Sequence, residues 1–347
     1  NAELQSLRMF RPPAPPRAID IEAPSPEDLA NASKQLDFLT KGLSPIFLSR
    51  DAETGRLTQG LGPVPVGSEG RPVLLVGNHQ LYGADLGFII REFLESKNGT
   101  LPRGLAHPAI FRGGLGGASD GDSGRDSGRG RNSGDEDPQR EGGAAGQGGL
   151  LQLFERFGAV EVSPGAIFEL LKRNETVLLF PGGTREAYHR KGEEYAVLWP
   201  EKTDFIRMAA LFDALVVPFA AIGIADSVNM VLDSEEILKN PPLGPDARRL
   251  NRRVPSARAG DQENFVAPIS VPRLQGPSRC YFLFQKPIDT AELSVYDKKA
   301  CREAYLKAQS EVEDGIETLL RFRENDPYKD FVPRAFIETM SGRRAPT

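Results

Sequence analysis

The sequence predicts an α/β domain with a mostly parallel central sheet and flanking helices. Three observations carry that expectation. Short unbroken apolar runs recur at Val73–Val76, Thr176–Phe180 and Ala214–Phe219, with the length and branched composition of strands buried on both faces. Between them stand stretches with helical apolar spacing: Leu86 to Leu94, with Leu86, Ile89, Ile90 and Phe93 on one side, and Asp204 to Phe212, with Phe205, Met208, Ala209 and Phe212 inward. Alternation of this kind stacks helices on a sheet of parallel strands, and 347 residues with 39% apolar content are enough to fill such a core.

The elements follow in order. Residues 1 to 24 are rich in proline and read as an extended lead-in. Ser25-Pro26-Glu27-Asp28 is a helix start, and Leu29, Leu36, Phe38 and Leu39 carry one helix to about Lys41. After the Val73 strand and the Leu86 helix, Leu105–Phe111 begins a second strand. Residues 113 to 149 are dominated by Gly, Ser, Asp and Arg, cannot repay their ordering entropy, and are expected to be a disordered insertion. The Gly121-Asp122-Ser123-Gly124 within it has the look of a serine-protease nucleophile but lacks the strand context that chemistry needs. The pattern resumes with a helix over Leu150–Phe157, a strand over Ala159–Val162 and a helix from Ser163 to Leu171. Residues 239 to 272 read as a second polar excursion, Tyr281–Phe284 as the last strand, and Asp297 to about Phe322 as a closing helix with Ala304, Leu306, Val312, Ile316 and Leu319 apolar. Residues 25 to 340 are thus expected to form a single domain.

Composition narrows the partners. The formal charge of −5 gives no reason to expect nucleic acid. Cys280 and Cys301 lack the short spacing of a zinc site and are too few for a disulfide framework, so neither metal nor cofactor is expected. No run approaches the roughly 20 apolar residues that cross a bilayer, so any membrane contact is expected to be peripheral.

Two stretches could carry chemistry, each directly after an apolar run. In Gly77-Asn78-His79-Gln80-Leu81-Tyr82-Gly83-Ala84-Asp85, an imidazole and a carboxylate stand six positions apart. On one helix they would be about 240° apart, so they can meet only if His79 lies in a loop, Gly83 turns the chain and Asp85 sits in the following first helical turn. His79 would then be a general base and Asp85 the group that fixes its tautomer. The alternative is two unrelated caps. In Phe180-Pro181-Gly182-Gly183-Thr184-Arg185, paired glycines allow close backbone approach, and Thr184 and Arg185 can bond an oxygen or anion. That makes Gly182, Gly183, Thr184 and Arg185 an oxyanion or acceptor cradle, or else a plain turn. Asn78, His107 and His189 are candidate site-lining residues, Arg190 and Lys191 a candidate headgroup-facing spot, and Trp199 either an interfacial anchor or a buried aromatic.

Taken together, Asn78-His79 with its downstream carboxylate, Phe180-Pro181-Gly182-Gly183-Thr184-Arg185 and Val216-Val217-Pro218-Phe219 resemble the successive blocks of the glycerolipid acyltransferase superfamily. Arg185–Tyr195 and Trp199-Pro200-Glu201 are similar to the plastid phytyl ester synthase and diacylglycerol acyltransferase-like branch, also labelled esterase/lipase/thioesterase. The resemblance implies an O-acyltransferase moving fatty acyl groups from acyl-CoA, acyl carrier protein or galactolipid to phytol or diacylglycerol, at a plastid membrane, plastoglobule or thylakoid surface. It also implies the roles of His79, Asp85 and the Gly182–Arg185 block just described. Five residues separate His79 from Asp85 where the common block has four; the phytyl ester group shares the longer spacing. The chain resembles the acyltransferase half alone. A lipid hydrolase or thioesterase on the same site and a non-catalytic lipid-binding scaffold are the competing readings.

Overall fold

In a computed structural model, residues 21–67, 70–111, 153–202, 204–252 and 265–347 are described. The insertion 113–149 and the lead-in before residue 21 lie outside them.

One mixed sheet organises the domain. Its strands are β1 (Ile46–Arg50), β2 (Leu57–Gln59), β3 (Val73–Gly77), β4 (Arg103–Ala106), β5 (Val160–Glu161), β6 (Thr176–Leu179), β7 (Leu215–Ile222), β10 (Tyr281–Phe284) and β11 (Ile288–Asp289), in the order β2-β1-β10-β7-β3-β6-β4-β5 with β11 beside β7. The five strands from β7 to β5 are parallel throughout. β10 runs antiparallel to β7, and β1 is parallel to β10. β8 (Val228–Leu232) and β9 (Ile269–Pro272) form a separate antiparallel pair. The expected α/β architecture with a mostly parallel sheet is the observed one.

Both faces of the sheet are covered, as the unbroken apolar runs require. Along β3, Val73 and Leu75 face one core with Ile89, Ile90, Phe93 and Phe282, whereas Leu74 and Val76 face the other with Leu170, Ile206 and Tyr305. The Asp85–Ser96 helix closes the first face, and the Pro164–Lys172, Asp204–Leu211 and Lys298–Asn325 helices close the second.

Several boundaries differ from expectation. The first helix breaks at Leu36, whose N–H bonds to the Ser33 carbonyl at 3.0 Å, so Pro26–Gln35 and Asp37–Leu43 are separate helices and Phe38 stands 84% exposed. Ser25 caps the first of them as the sequence implies, its hydroxyl accepting the Asp28 N–H at 3.1 Å. β4 ends at Ala106 because Pro108 cannot donate to a ladder and instead opens a short helix to Phe111. Tyr281–Phe284 is followed by β11, and the long helix by another at Phe331–Ser341, so neither closes the chain. Leu306 on the long helix is exposed. The 239–272 excursion contains the Gly244–Asn251 helix and β9.

Candidate active site

Parallel pairing of β3 with β6 and of β6 with β4 brings three carboxyl-terminal strand ends together, the edge where open α/β sheets place ligands. His79 follows β3, Phe180 to Thr184 follow β6, and His107 follows β4.

The neighbours of His79 are locked to β7. The Asn78 amide donates to the Ala221 carbonyl at 2.9 Å and accepts the Ala221 N–H at 2.8 Å, while Gln80 Nε2 donates to the same carbonyl at 2.6 Å. Asn78 therefore clips β3 to β7 and does not line the cavity. Beyond Gln80, one 3₁₀ turn over Leu81–Gly83 carries φ of 60° at Tyr82 and 69° at Gly83, which bends the chain back. Asp85 then opens the next helix with its side chain fully buried beneath the imidazole. His79 Nδ1 lies 2.9 Å from Asp85 Oδ1 and 3.2 Å from Oδ2, and Oδ2 also accepts the Gln80 N–H at 2.8 Å. A carboxylate beside Nδ1 fixes the neutral ring with its proton there and its lone pair at Nε2. The ring stacks on Phe180, centroids 3.9 Å apart, and keeps 15% of its side chain exposed.

In the second loop the four candidate residues separate. Gly183 and Thr184 line the same cavity as His79. Gly183 takes φ of 52°, with its N–H donating to the Phe180 carbonyl at 3.0 Å. Thr184 opens the Thr184–Ala187 turn of helix, so its N–H is among those without an intrahelical acceptor. Gly182 is buried against Glu186: a Cβ there would stand 2.1 Å from the Glu186 carboxyl carbon. Gly182→Ala is accordingly expected to displace that carboxyl and lower turnover at least about 10-fold, checked by steady-state kinetics beside a thermal melt. Arg185 turns away, donating from its two terminal guanidinium nitrogens to Glu193 at 2.8 and 2.7 Å. That guanidinium holds the Glu193 carboxyl below its ordinary value.

The shared cavity is small, about 80 Å³, and mostly apolar, lined by Leu86, Leu105, Ile110, Phe154 and Phe265 together with Tyr82 and Tyr188. Burial pushes the Tyr188 phenol up to about 12, so it stays protonated. His107 also lines the cavity and packs on Phe265 at 4.2 Å between centroids. His189 does not: it lines a separate polar cleft of about 320 Å³ with Lys191, Tyr195 and Asp226. Its Nδ1 donates to the Glu186 carbonyl at 3.0 Å, and burial lowers its pKa, keeping it neutral.

Arg190 and Lys191 are paired with Glu235 and Glu236, each at 2.6 Å, which neutralises the expected headgroup spot. Trp199 packs edge-on against Phe205 and Tyr305, each at 5.9 Å between centroids, and is partly buried against the core. Sequence reasoning missed Glu186 altogether. It is buried, accepts the His79 N–H at Oε2 and the Leu198 N–H at Oε1, both at 2.8 Å, and burial pushes its carboxyl up to about 7. An acid following an arginine in a polar run carries no local sign that it faces inward.

These features define an α/β domain with a carboxylate-oriented imidazole at the carboxyl edge of a parallel sheet, facing an apolar cavity. By sequence it is related to the phytyl ester synthases. It is 37% identical to Phytyl ester synthase 1, chloroplastic, of Arabidopsis thaliana over 324 residues, covering 91% of this chain and 41% of that protein. Phytyl ester synthase 2, chloroplastic, of the same plant is 35% identical over 311 residues, covering 88% of this chain and 40% of that protein. The chain thus spans about two fifths of the length of these relatives. No family model matches it. The crystal structure of the 1-acyl-sn-glycerophosphate acyltransferase PlsC from Thermotoga maritima aligns over 84% of this chain and 79% of that one at 14% identity, and its TM-score of 0.38 is too weak a likeness to bear on function.

Proposed function

We propose that this domain is an O-acyltransferase that moves a fatty acyl group onto an uncharged lipid alcohol, phytol or diacylglycerol, with His79 as general base. The observation that carries the reading is the Asp85-bound imidazole facing a cavity whose described lining contains no lysine or arginine, the nearby Arg185 being spent on Glu193. A phosphorylated acceptor calls for a cation, whereas a hydroxyl on an alkyl chain calls for apolar walls and a base. The relatives' printed name, phytyl ester synthase, supports the same acceptor class.

In the proposed reaction Nε2 of His79 takes the proton of the alcohol as its oxygen attacks the donor carbonyl. The Thr184 N–H and hydroxyl, which with Gly183 line the same cavity, serve as the donors to the developing oxyanion. Collapse expels the donor's thiolate or alkoxide, which recovers the proton from the imidazolium. The acyl donor is an acyl-CoA, an acyl carrier protein or a galactolipid, met at a plastid membrane or lipid-body surface that the protein touches peripherally. Among the described residues no helix is long and apolar enough to cross a membrane.

The test incubates purified protein with these donors and with phytol, diacylglycerol or a lysophosphatidate, and reads products by mass spectrometry. Esters of the neutral alcohols are expected at least about 10-fold faster than those of the phosphorylated acceptor, the penalty for one unpaired charge. Equal or faster use of the lysophosphatidate would overturn the acceptor assignment. Free fatty acid alone, with phytol present, would make the domain a hydrolase.

A further inference from the structure

We infer that Glu186 is a positioning residue that must be ionised for turnover, because its two carboxylate oxygens hold the main chain carrying the catalytic base. The inference rests on the reading of His79 as that base. Oε2 accepts the backbone N–H of His79 and Oε1 that of Leu198, so one side chain ties the loop after β3 to the segment preceding Trp199. The Glu186 carbonyl meanwhile accepts from the His189 N–H and Nδ1, each at 3.0 Å, which anchors the same residue from behind. Gly182 leaves the space this carboxyl occupies. The charged and titratable groups acting on it are His79, Asp85 and the Arg185 guanidinium.

Two N–H donors facing two different oxygens are held best by a carboxylate. Protonation turns one oxygen into a neutral hydroxyl, a weaker acceptor than a carboxylate oxygen. It therefore loosens the hold on either Leu198 or His79, and in the second case the imidazole loses part of the anchor on its own backbone. Misplacing a catalytic group by about 1 Å can cost on the order of 100-fold. Burial lifts the Glu186 carboxyl to about 7, so this switch falls near neutral pH.

Glu186→Gln imitates the protonated form, since its NH₂ opposes an N–H. At pH 8.5 it is expected to lower kcat at least about 10-fold with KM for the alcohol within about threefold, and the gap to the parent should shrink at least about fivefold by pH 6. Glu186→Asp keeps the charge but is too short to span both donors. It should lower kcat while retaining an acid limb. Thermal melts give an independent reading. The folded carboxyl binds a proton between about pH 7 and its ordinary value, where the unfolded one does not, so the parent gains stability as pH falls through that window and Glu186→Gln lacks the gain.

Parent-like kcat in Glu186→Gln or Glu186→Asp, or a Glu186→Gln defect of equal size at every pH, overturns the positioning role. An inactive His79→Ala beside a parent-like Glu186→Gln sinks this inference alone. An active His79→Ala sinks the reading of the base, and the pH-linked melting of Glu186 remains measurable.

Discussion

Replacing His79 with alanine is expected to lower acyl transfer at least about 100-fold, with KM for the alcohol little changed. The size follows from what the ring supplies. General-base catalysis is worth about 10²- to 10⁴-fold, and His79 is the cavity imidazole shown with a carboxylate at its Nδ1, whereas His107 packs on Phe265 and His189 lies in the polar cleft. The fold should survive the change. The ring is partly exposed, the Asp85 carboxylate it bonds keeps the Gln80 N–H, and the loop is pinned through backbone and neighbours by Asn78, Gln80 and Glu186. The check is a time course of ester product by mass spectrometry, with circular dichroism to confirm folding. Activity within about 10-fold of the parent would remove His79 from the mechanism.

The second large effect concerns stability. Arg279 and Asp326 are both fully buried and meet at 3.0 Å. The guanidinium also donates to the carbonyls of Ser44, Ala345 and Pro346, and Asp326 accepts from the Tyr281 hydroxyl at 2.6 Å and the Tyr328 N–H at 2.7 Å. This cluster ties Arg279, two residues before β10, to Ala345 and Pro346 near the chain's end. Arg279→Met removes the cation and leaves a buried carboxylate without its charge partner, which costs about 3–5 kcal/mol. Chemical denaturation should show that loss as a lower midpoint, with kcat unchanged under conditions where the variant stays folded, since neither residue lines the cavity. A loss under about 1 kcal/mol would mean that water or the guanidinium of Arg334, buried in the same region, compensates for the missing charge.

Legibility in the sequence followed the range of the forces involved. β3, β6 and β7 were readable because a strand buried on both faces must be apolar at every position. β1 was not, since its run Ile46-Phe47-Leu48-Ser49-Arg50 mixes in polar residues that are satisfied from afar. The Ser49 hydroxyl donates to the Gly60 carbonyl at 2.7 Å, and Arg50 Nε to Gln285 at 2.7 Å. The break at Leu36 escaped notice because apolar spacing continues through it. The two site loops were visible as motifs. Which of their residues face the cavity was not, because Asn78, Gly182 and Arg185 are drawn to partners on β7, Glu186 and Glu193.

The sequence alone determined the alternation of strand and helix, the turn at Gly83 and the pairing chemistry available to His79 and Asp85, all of which depend on neighbours within a few residues. Only the tertiary structure decided that β3, β6 and β4 lie side by side, that Arg185 is neutralised, and that Glu186, 107 positions from His79, holds its backbone. The reason is physical: a carboxylate is turned inward or outward by whether distant N–H donors await it, and that is settled by the packing of the sheet.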